Sequence, residues 1–179
     1  MWALVESGSV SKVYTRPKSI TVGDIQYPSN IFMLWTSSEL EAIGIHEVVI
    51  DNTNLKDRAY YINTDQSFAF SGGTVTATYG TATARALDTL KTSHSKAIDS
   101  QAYGLLQPND WMIVRNAESS KAIPSDWLDY RVAVRTAASS MKTKINAVAN
   151  VDALAALYVY NDATPPVRPL GEWPTEPTS

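Results

Sequence analysis

The chain has 179 residues, 44% of them hydrophobic and 18% charged, which is enough apolar material for the core of one domain or of two small ones. Its 15 Lys and Arg and 18 Asp and Glu leave a net charge of -3, and the basic residues form no stripe that could follow a phosphate backbone, so nucleic acid is not an expected partner. Cysteine is absent, which excludes disulfides and thiolate chemistry. We also expect a soluble protein without membrane insertion, because the sequence has neither a signal-peptide pattern nor an apolar run near the roughly 18 residues of a membrane span.

Residues 1–80 are predicted to be mostly β-strand, because short β-branched and aromatic runs alternate with turn residues. Glycine stands in the turn of each of three predicted hairpins. The hairpins pair Trp2–Glu6 with Val10–Tyr14, Ile20–Val22 with Ile25–Tyr27, and Phe68–Ser71 with Thr74–Tyr79. The Gly72-Gly73 pair lacks the Lys-Ser/Thr of a phosphate-binding loop, so a hairpin turn is the better interpretation.

One short helix is predicted among these strands. Thr36 and Glu39 have the spacing of a capping box, and Gly44 is placed to end the helix. A strand over Val48–Ile50 follows.

From about residue 82 the apolar period changes from two to about three and a half, which predicts helices. The first helix carries an apolar stripe that ends at Leu105-Leu106, and we expect Gln107–Asp110 to stop it. Trp111–Val114 is predicted to bridge to a second helix that begins at Pro124.

The second long helix has apolar residues at strict intervals of seven: Trp127, Val134, Met141 and Val148. Asn150 is predicted to cap a third helix. Five prolines after Asp162 predict an extended arm with Trp173 as its one large anchor.

The predicted fold is therefore α+β, in three parts. An antiparallel β domain with one short helix occupies residues 1–80, a helical hairpin residues 81–160, and a Pro-rich extended arm residues 161–179. Because two helices cannot cover so long an apolar stripe by themselves, we expect a homo-oligomer or a place in a larger assembly.

No constellation of catalytic or metal-binding residues stands out. His46 and His94 lie in different predicted domains without further ligands nearby, which favours structural roles over a zinc site. Residues 51–57 lack the glycine and distal glutamate of a calcium loop. We therefore expect a protein that is not an enzyme and that uses no cofactor, with converging carboxylates in the strand domain as the open alternative.

A group of residues in the second half resembles the small C-terminal module of bacteriophage tail fibre assembly chaperones and related tail proteins. The group comprises Leu105-Leu106, Asp110-Trp111, Trp127 and the run Tyr130-Arg131-Val132-Ala133-Val134-Arg135. The ending Glu172-Trp173-Pro174-Thr175-Glu176-Pro177 is similar to the Trp-Pro-x-x-Pro ending of several such proteins. The match covers roughly residues 105–136 and the tail, and the sequence departs from the commonest chaperone pattern in its long first helix.

The resemblance implies a virion structural protein of the tail or tail fibre, located in the virion and, during assembly, in the host cytoplasm. Its partners would be other tail or fibre proteins and further copies of the chain. A tail fibre assembly chaperone is the first alternative. A small hydrolase of envelope glycans, using carboxylates of the strand domain, is the second.

The same module implies a helix pair whose closed end packs Trp111 against Trp127, with Arg131 paired to Asp110. These residues either form a local core or also dock a partner, since aromatic and Arg side chains dominate interface hot spots. The candidate partner-binding residues are Trp111, Trp127, Tyr130, Arg131, Arg135 and Trp173.

Overall fold

A computed structural model describes residues 1–178 and divides the chain into two compact units, Met1–Thr83 and a second that begins at Ala84. The first unit holds most of the strands and the second the long helices, so the predicted α+β class is confirmed. The nine strands, in chain order, are β1 (Trp2–Glu6), β2 (Ser9–Tyr14), β3 (Ile20–Val22), β4 (Ile25–Tyr27), β5 (Ile45–Asp51), β6 (Tyr61–Ile62), β7 (Gln66–Ser71), β8 (Thr74–Tyr79) and β9 (Thr83–Ala84).

Five of these strands form the main sheet, in the order β2-β1-β5-β8-β7, while β3 pairs with β4 and β6 with β9. The three predicted hairpins are all present, since β1 and β2, β3 and β4, and β7 and β8 pair antiparallel. The prediction of a wholly antiparallel domain is wrong, because β5 and β8 run parallel, with Val48 opposite Val75. Alternating apolar residues indicate that a segment is a strand but not its direction in the sheet.

Two short helices, α1 (Ile31–Leu34) and α2 (Ser37–Ala42), interrupt the strands where one was predicted. A single turn such as α1 is too short to show a helical period in the sequence. The capping box of α2 is as predicted: the backbone N–H of Glu39 donates to Thr36 Oγ1 at 3.3 Å, and the Thr36 N–H donates to Glu39 Oε2 at 2.7 Å. Gly44 follows the helix with a φ of +80°.

The core of the first unit lies between the sheet and these two helices. Its buried side chains are Leu4, Tyr14, Ile20, Ile31, Phe32, Leu40 and Ile45. Trp2 and Trp35 are half-buried and pack against this core from the outside. An apolar cluster of this size is the main stabilising contribution for a unit without disulfides.

The second unit contains four α-helices. They are α3 (Leu87–Leu106), α4 (Asp110–Ser119), α5 (Ser125–Ala147) and α6 (Val151–Ala156), and a 3-10 turn over Gln107–Asn109 joins α3 to α4. α3 ends where the stop at Gln107–Asp110 was predicted, but the chain continues there as a 3-10 turn. The predicted bridge Trp111–Val114 is part of helix α4. Pro108 lies in the first turn of the 3-10 segment, where a helix does not need a backbone N–H donor.

α5 packs against α3 through the face that the heptad spacing indicated. Trp127, Val134 and Met141 are buried, while Val148 caps the C-terminus of α5 and is half-buried. Pro124 caps α5 rather than occupying its first position. Asn150 caps α6 as predicted, since its Oδ1 accepts a 2.8 Å hydrogen bond from the Ala153 N–H.

The Pro-rich segment is neither helix nor strand, but it is not a free arm. Leu170 is only 1% exposed, and its backbone N–H donates to the Leu157 carbonyl at 2.9 Å. Lys144 of α5 donates to the carbonyls of Pro169 and Leu170 at 2.8 and 3.2 Å. The predicted single anchor, Trp173, is therefore one of two, and Leu170 is the more buried. Proline spacing shows that a segment cannot be helical, but not whether it packs.

Candidate functional site

Leu106, Asp110 and Arg131 meet where α3, α4 and α5 come together, and we call this place the helical corner. The side chain of Arg131 is 6% exposed. Its Nη2 donates to Asp110 Oδ1 at 2.6 Å, and its Nη1 donates to the Leu106 carbonyl at 3.0 Å. Leu106 lies where α3 ends and the 3-10 turn begins, so this bond ties Arg131 to the backbone at the junction of the two helical segments. The predicted pairing of Arg131 with Asp110 is confirmed, and it holds three helices together.

Trp127 and Tyr130 lie beside the corner in the core of the second unit. They are 8% and 5% exposed, and their rings meet edge to face with centroids 5.9 Å apart. Burial raises the pKa of Tyr130 above its ordinary value, and the charge of Glu176 adds to that rise. Met112 and Val134 complete this cluster. Both rings therefore serve packing and offer little surface to a partner.

Trp111 does not pack at the closed end of the helix pair with Trp127, so this prediction is wrong. Trp111 is 53% exposed, and the Arg115 guanidinium lies 4.6 Å from its ring centroid. The reason is that α4 is a helix from Asp110 onward, so neighbouring residues face directions about 100° apart. Met112 points into the core, and Trp111 remains outside.

Further apolar side chains are exposed on the same helices. On α4, Val114 is 53% exposed and lies three positions after Trp111, so the two share one side of the helix. On α5, Leu128 and Val132 are 45% and 61% exposed and lie four positions apart. We call these residues the α4 pair (Trp111 and Val114) and the α5 pair (Leu128 and Val132).

An open groove of about 470 Å³ lies between α5 and the tail. Val132 and Ala133 line its helix side, and Trp173 and Pro174 line its tail side. Trp173 is held in place because its Nε1 donates to Gln101 Oε1 at 3.0 Å. The α5 pair therefore adjoins the groove, since Val132 belongs to both.

The six predicted partner-binding residues thus divide into three sets by their exposure. Trp127, Tyr130 and Arg131 are buried, Trp173 is half-buried, and Trp111 and Arg135 are exposed. Sequence reasoning missed Val114, Leu128 and Val132. Leu128 and Val132 could have been found, because apolar residues of α5 outside the heptad positions do not belong to the buried stripe. Val114 could not, because α4 was not predicted as a helix.

Groups that could support other functions are few in the part of the chain that the structure describes. No three His, Asp or Glu side chains come together there in a way that could hold a metal ion. Within residues 1–178, no helix combines the length and the apolar character needed to cross a membrane. His94 Nδ1 lies 2.7 Å from the hydroxyl of Tyr158, and burial lowers the pKa of this histidine.

Comparison of the chain with known protein families, with curated protein sequences and with solved structures finds no match.

Proposed function

We propose that this chain is a non-catalytic structural protein of a bacteriophage tail or tail fibre, and that it acts by binding other tail proteins through its second unit. The proposal rests first on the resemblance of residues 105–136 to the module of phage tail proteins. It is supported by one structural observation: the buried side chain of Arg131 holds α4 in place, and Trp111 is exposed on that helix.

The buried and exposed parts of the motif have different tasks in this proposal. Arg131 of α5 bonds to the last residue of α3 and to the first residue of α4, which gives α4 a fixed position on the unit. Trp111 stands on that helix and stacks with Arg115, so an aromatic and a guanidinium group are presented together. Trp and Arg are the residue types most enriched among interface hot spots, and rigid supports reduce the entropy lost on binding.

The α5 pair extends the apolar surface toward the groove beside Trp173. Asp129 and Glu172 line this groove together with its apolar walls, and the Glu172 carboxylate is paired with Arg168 at 3.3 Å. A partner segment with apolar side chains and at least one basic residue would complement it. Other tail or fibre proteins and further copies of this chain are the proposed partners.

The first experiment measures the copy number of the protein in purified virions by quantitative mass spectrometry. A structural component is expected at a fixed, stoichiometric number of copies per particle. A chaperone is expected in infected cells and not in the particle, so absence from purified virions would overturn the structural role in favour of the chaperone.

The second experiment tests the surface with the variant Trp111→Ser. Because Trp111 is exposed, we expect the variant to fold with a nearly unchanged Tm. Loss of a hot-spot tryptophan costs about 2 kcal/mol or more of binding free energy, so incorporation at limiting protein should fall by about tenfold or more.

Tyr160→Ser is the matched control for that variant. Tyr160 is 51% exposed and also lies near an arginine, since the Arg168 guanidinium is 5.5 Å from its ring centroid, but it is not part of the α4 pair. We expect it to be incorporated like the wild type. Equal incorporation of both variants would show that Trp111 is not a binding residue.

A further inference from the structure

A second concave site lies in the first unit, and none of its lining residues takes part in the proposed function. It is a pocket of about 110 Å³ that opens between β1, β5 and the two short helices. Its floor consists of Phe32, Leu40 and Ile45, which are 7%, 5% and 0% exposed. This pocket is smaller than the engineered apolar cavity of about 150 Å³ that accepts benzene in another protein, so only a compact organic group could fit it.

Three aromatic rings line this pocket. Trp2 comes from β1, Trp35 from the link between α1 and α2, and Phe32 from α1. The ring centroids of Trp2 and Phe32 are 4.8 Å apart with the planes inclined by 50°. In residues 1–178 no Lys or Arg of the chain is stacked on any of these three rings.

A carboxylate lies among these rings. Glu47 of β5 lies directly opposite Trp2 in the β1–β5 register, and cross-strand partners place their side chains on the same face of a sheet. Glu47 is exposed, and its carboxylate makes no hydrogen bond or ion pair with any other described residue. Ser37 adds one hydroxyl to the lining. The site therefore combines aromatic walls with a carboxylate that is not paired with another described residue.

We propose that this pocket binds a quaternary ammonium group. The faces of aromatic rings attract cations, tryptophan most strongly, and sets of aromatic rings are a recurring way to hold methylated ammonium groups. A quaternary nitrogen carries no N–H, so it needs no acceptors from the apolar floor. A primary ammonium carries three N–H donors and is strongly hydrated, and Glu47 and Ser37 are the lining residues with side-chain oxygens, so a primary ammonium would lose more hydration on binding than a quaternary group does.

The quaternary ammonium group can come from a free choline-like solute or from a phosphocholine head group. The probes are therefore choline, phosphocholine and the uncharged alcohol in which carbon replaces the nitrogen of choline. Each is titrated into ¹⁵N-labelled full-length protein, and NMR follows the indole N–H signals of the five tryptophans. Substitution of Trp2 and Trp35 to Phe, one at a time, assigns their two signals.

We expect choline to shift the indole signals of Trp2 and Trp35 and to leave the other three in place, with a Kd on the order of millimolar. The uncharged alcohol should bind about tenfold more weakly, because it lacks the attraction between cation and ring. A response to phosphocholine as well would assign a head group, and a response to choline alone a free solute. Both outcomes support the proposal.

Glu47→Gln tests the carboxylate without disturbing the core, because the residue is exposed. Water screens the attraction between the Glu47 carboxylate and the bound cation, so we expect the loss of this charge to weaken choline binding about fivefold. Glu41→Gln, on the exposed side of α2 and outside the pocket, is the matched control and should bind as the wild type does. Equal affinity for choline and the uncharged alcohol, shifts confined to other tryptophans, or no shift at concentrations well above millimolar would each overturn the proposal.

Discussion

Arg131 connects the Asp110 carboxylate, at 2.6 Å, with the backbone carbonyl of Leu106, at 3.0 Å, through the two nitrogens of one guanidinium. The two partners differ in their access to water. The side chain of Asp110 is 51% exposed, so water can replace its hydrogen bond to Arg131, whereas Leu106 is half-buried and packs against the core. The planar fork of arginine suits it to bridge two acceptors at fixed positions.

We predict that Arg131→Met lowers the free energy of unfolding by about 2 to 3 kcal/mol, because two charge-assisted hydrogen bonds of a buried side chain are lost. Asp110→Asn should cost only about 1 kcal/mol, because the carboxylate is half exposed. Urea unfolding followed by circular dichroism measures both changes. Arg135→Met is the control, because Arg135 is exposed and should cost less than about 0.5 kcal/mol. A loss for Asp110→Asn as large as that for Arg131→Met would contradict this account.

The local elements of this fold could be predicted from short-range chemistry. Thr36 with Glu39, and Asn150, are capping residues whose partners lie three positions away in the sequence, and both caps are found. The glycines at the hairpin turns could be predicted from equally local chemistry, because a tight turn needs a positive φ, and Gly23 has a φ of +57°. Strand direction was not predictable, because the parallel pairing of β5 with β8 depends on how the chain crosses between them.

The candidate site could be predicted in part. The pairing of Arg131 with Asp110 followed from two opposite charges at the ends of a helix pair. The exposure of Trp111 was missed because Pro108 was expected to end the helix, which left Trp111 free to point inward. Once α4 is helical, the position of Met112 toward the core requires Trp111 to point elsewhere.

The packing of the tail gives a prediction about stability. We expect Leu170→Ala to lower the free energy of unfolding of the second unit by about 2 to 4 kcal/mol, because Leu170 is 1% exposed and its loss leaves a cavity. Val167→Ala, three residues earlier and 44% exposed, is the matched control and should cost less than about 0.5 kcal/mol. Thermal unfolding of both variants measures the difference, and similar Tm values would show that the tail does not contribute to the folded core.

His94 gives a prediction about pH. Burial lowers its pKa below the ordinary value of 6.5, so the unfolded chain binds the proton more readily than the folded one. The stability that depends on neutral His94 is therefore complete above about pH 6.5 and is lost as the pH falls toward the lower folded-state pKa. His94→Gln cannot take up this proton, and an amide can still accept from the Tyr158 hydroxyl.

The measurement for His94 is the Tm of the wild type and of His94→Gln between about pH 8 and about pH 5. Other groups titrate in both proteins, so the informative quantity is the difference between the two Tm values at each pH. We expect the wild type to lose Tm relative to the variant as the pH falls. A difference that does not change with pH would show that His94 is equally accessible to protons in the folded and unfolded states.

Gly44 gives a prediction about backbone geometry. It follows α2 with a φ of +80°, and a Cβ built there would lie 2.9 Å from the Val5 carbonyl oxygen. That oxygen cannot simply move away, because the Val5 N–H donates to the Gly44 carbonyl at 2.8 Å and keeps the two backbones together. We expect Gly44→Ala to cost about 1 to 2 kcal/mol for the left-handed backbone and a further amount for the contact with the Val5 backbone.

Gly8→Ala separates these two contributions to the Gly44 prediction. Gly8 has nearly the same φ, +76°, but a Cβ there would meet no atom within 4 Å. It should therefore show the backbone cost alone, about 1 to 2 kcal/mol. Urea unfolding of the two variants measures the excess loss at Gly44, which reports the close approach between β1 and the link from α2 to β5. Equal losses at both glycines would mean that the two backbones can separate without cost.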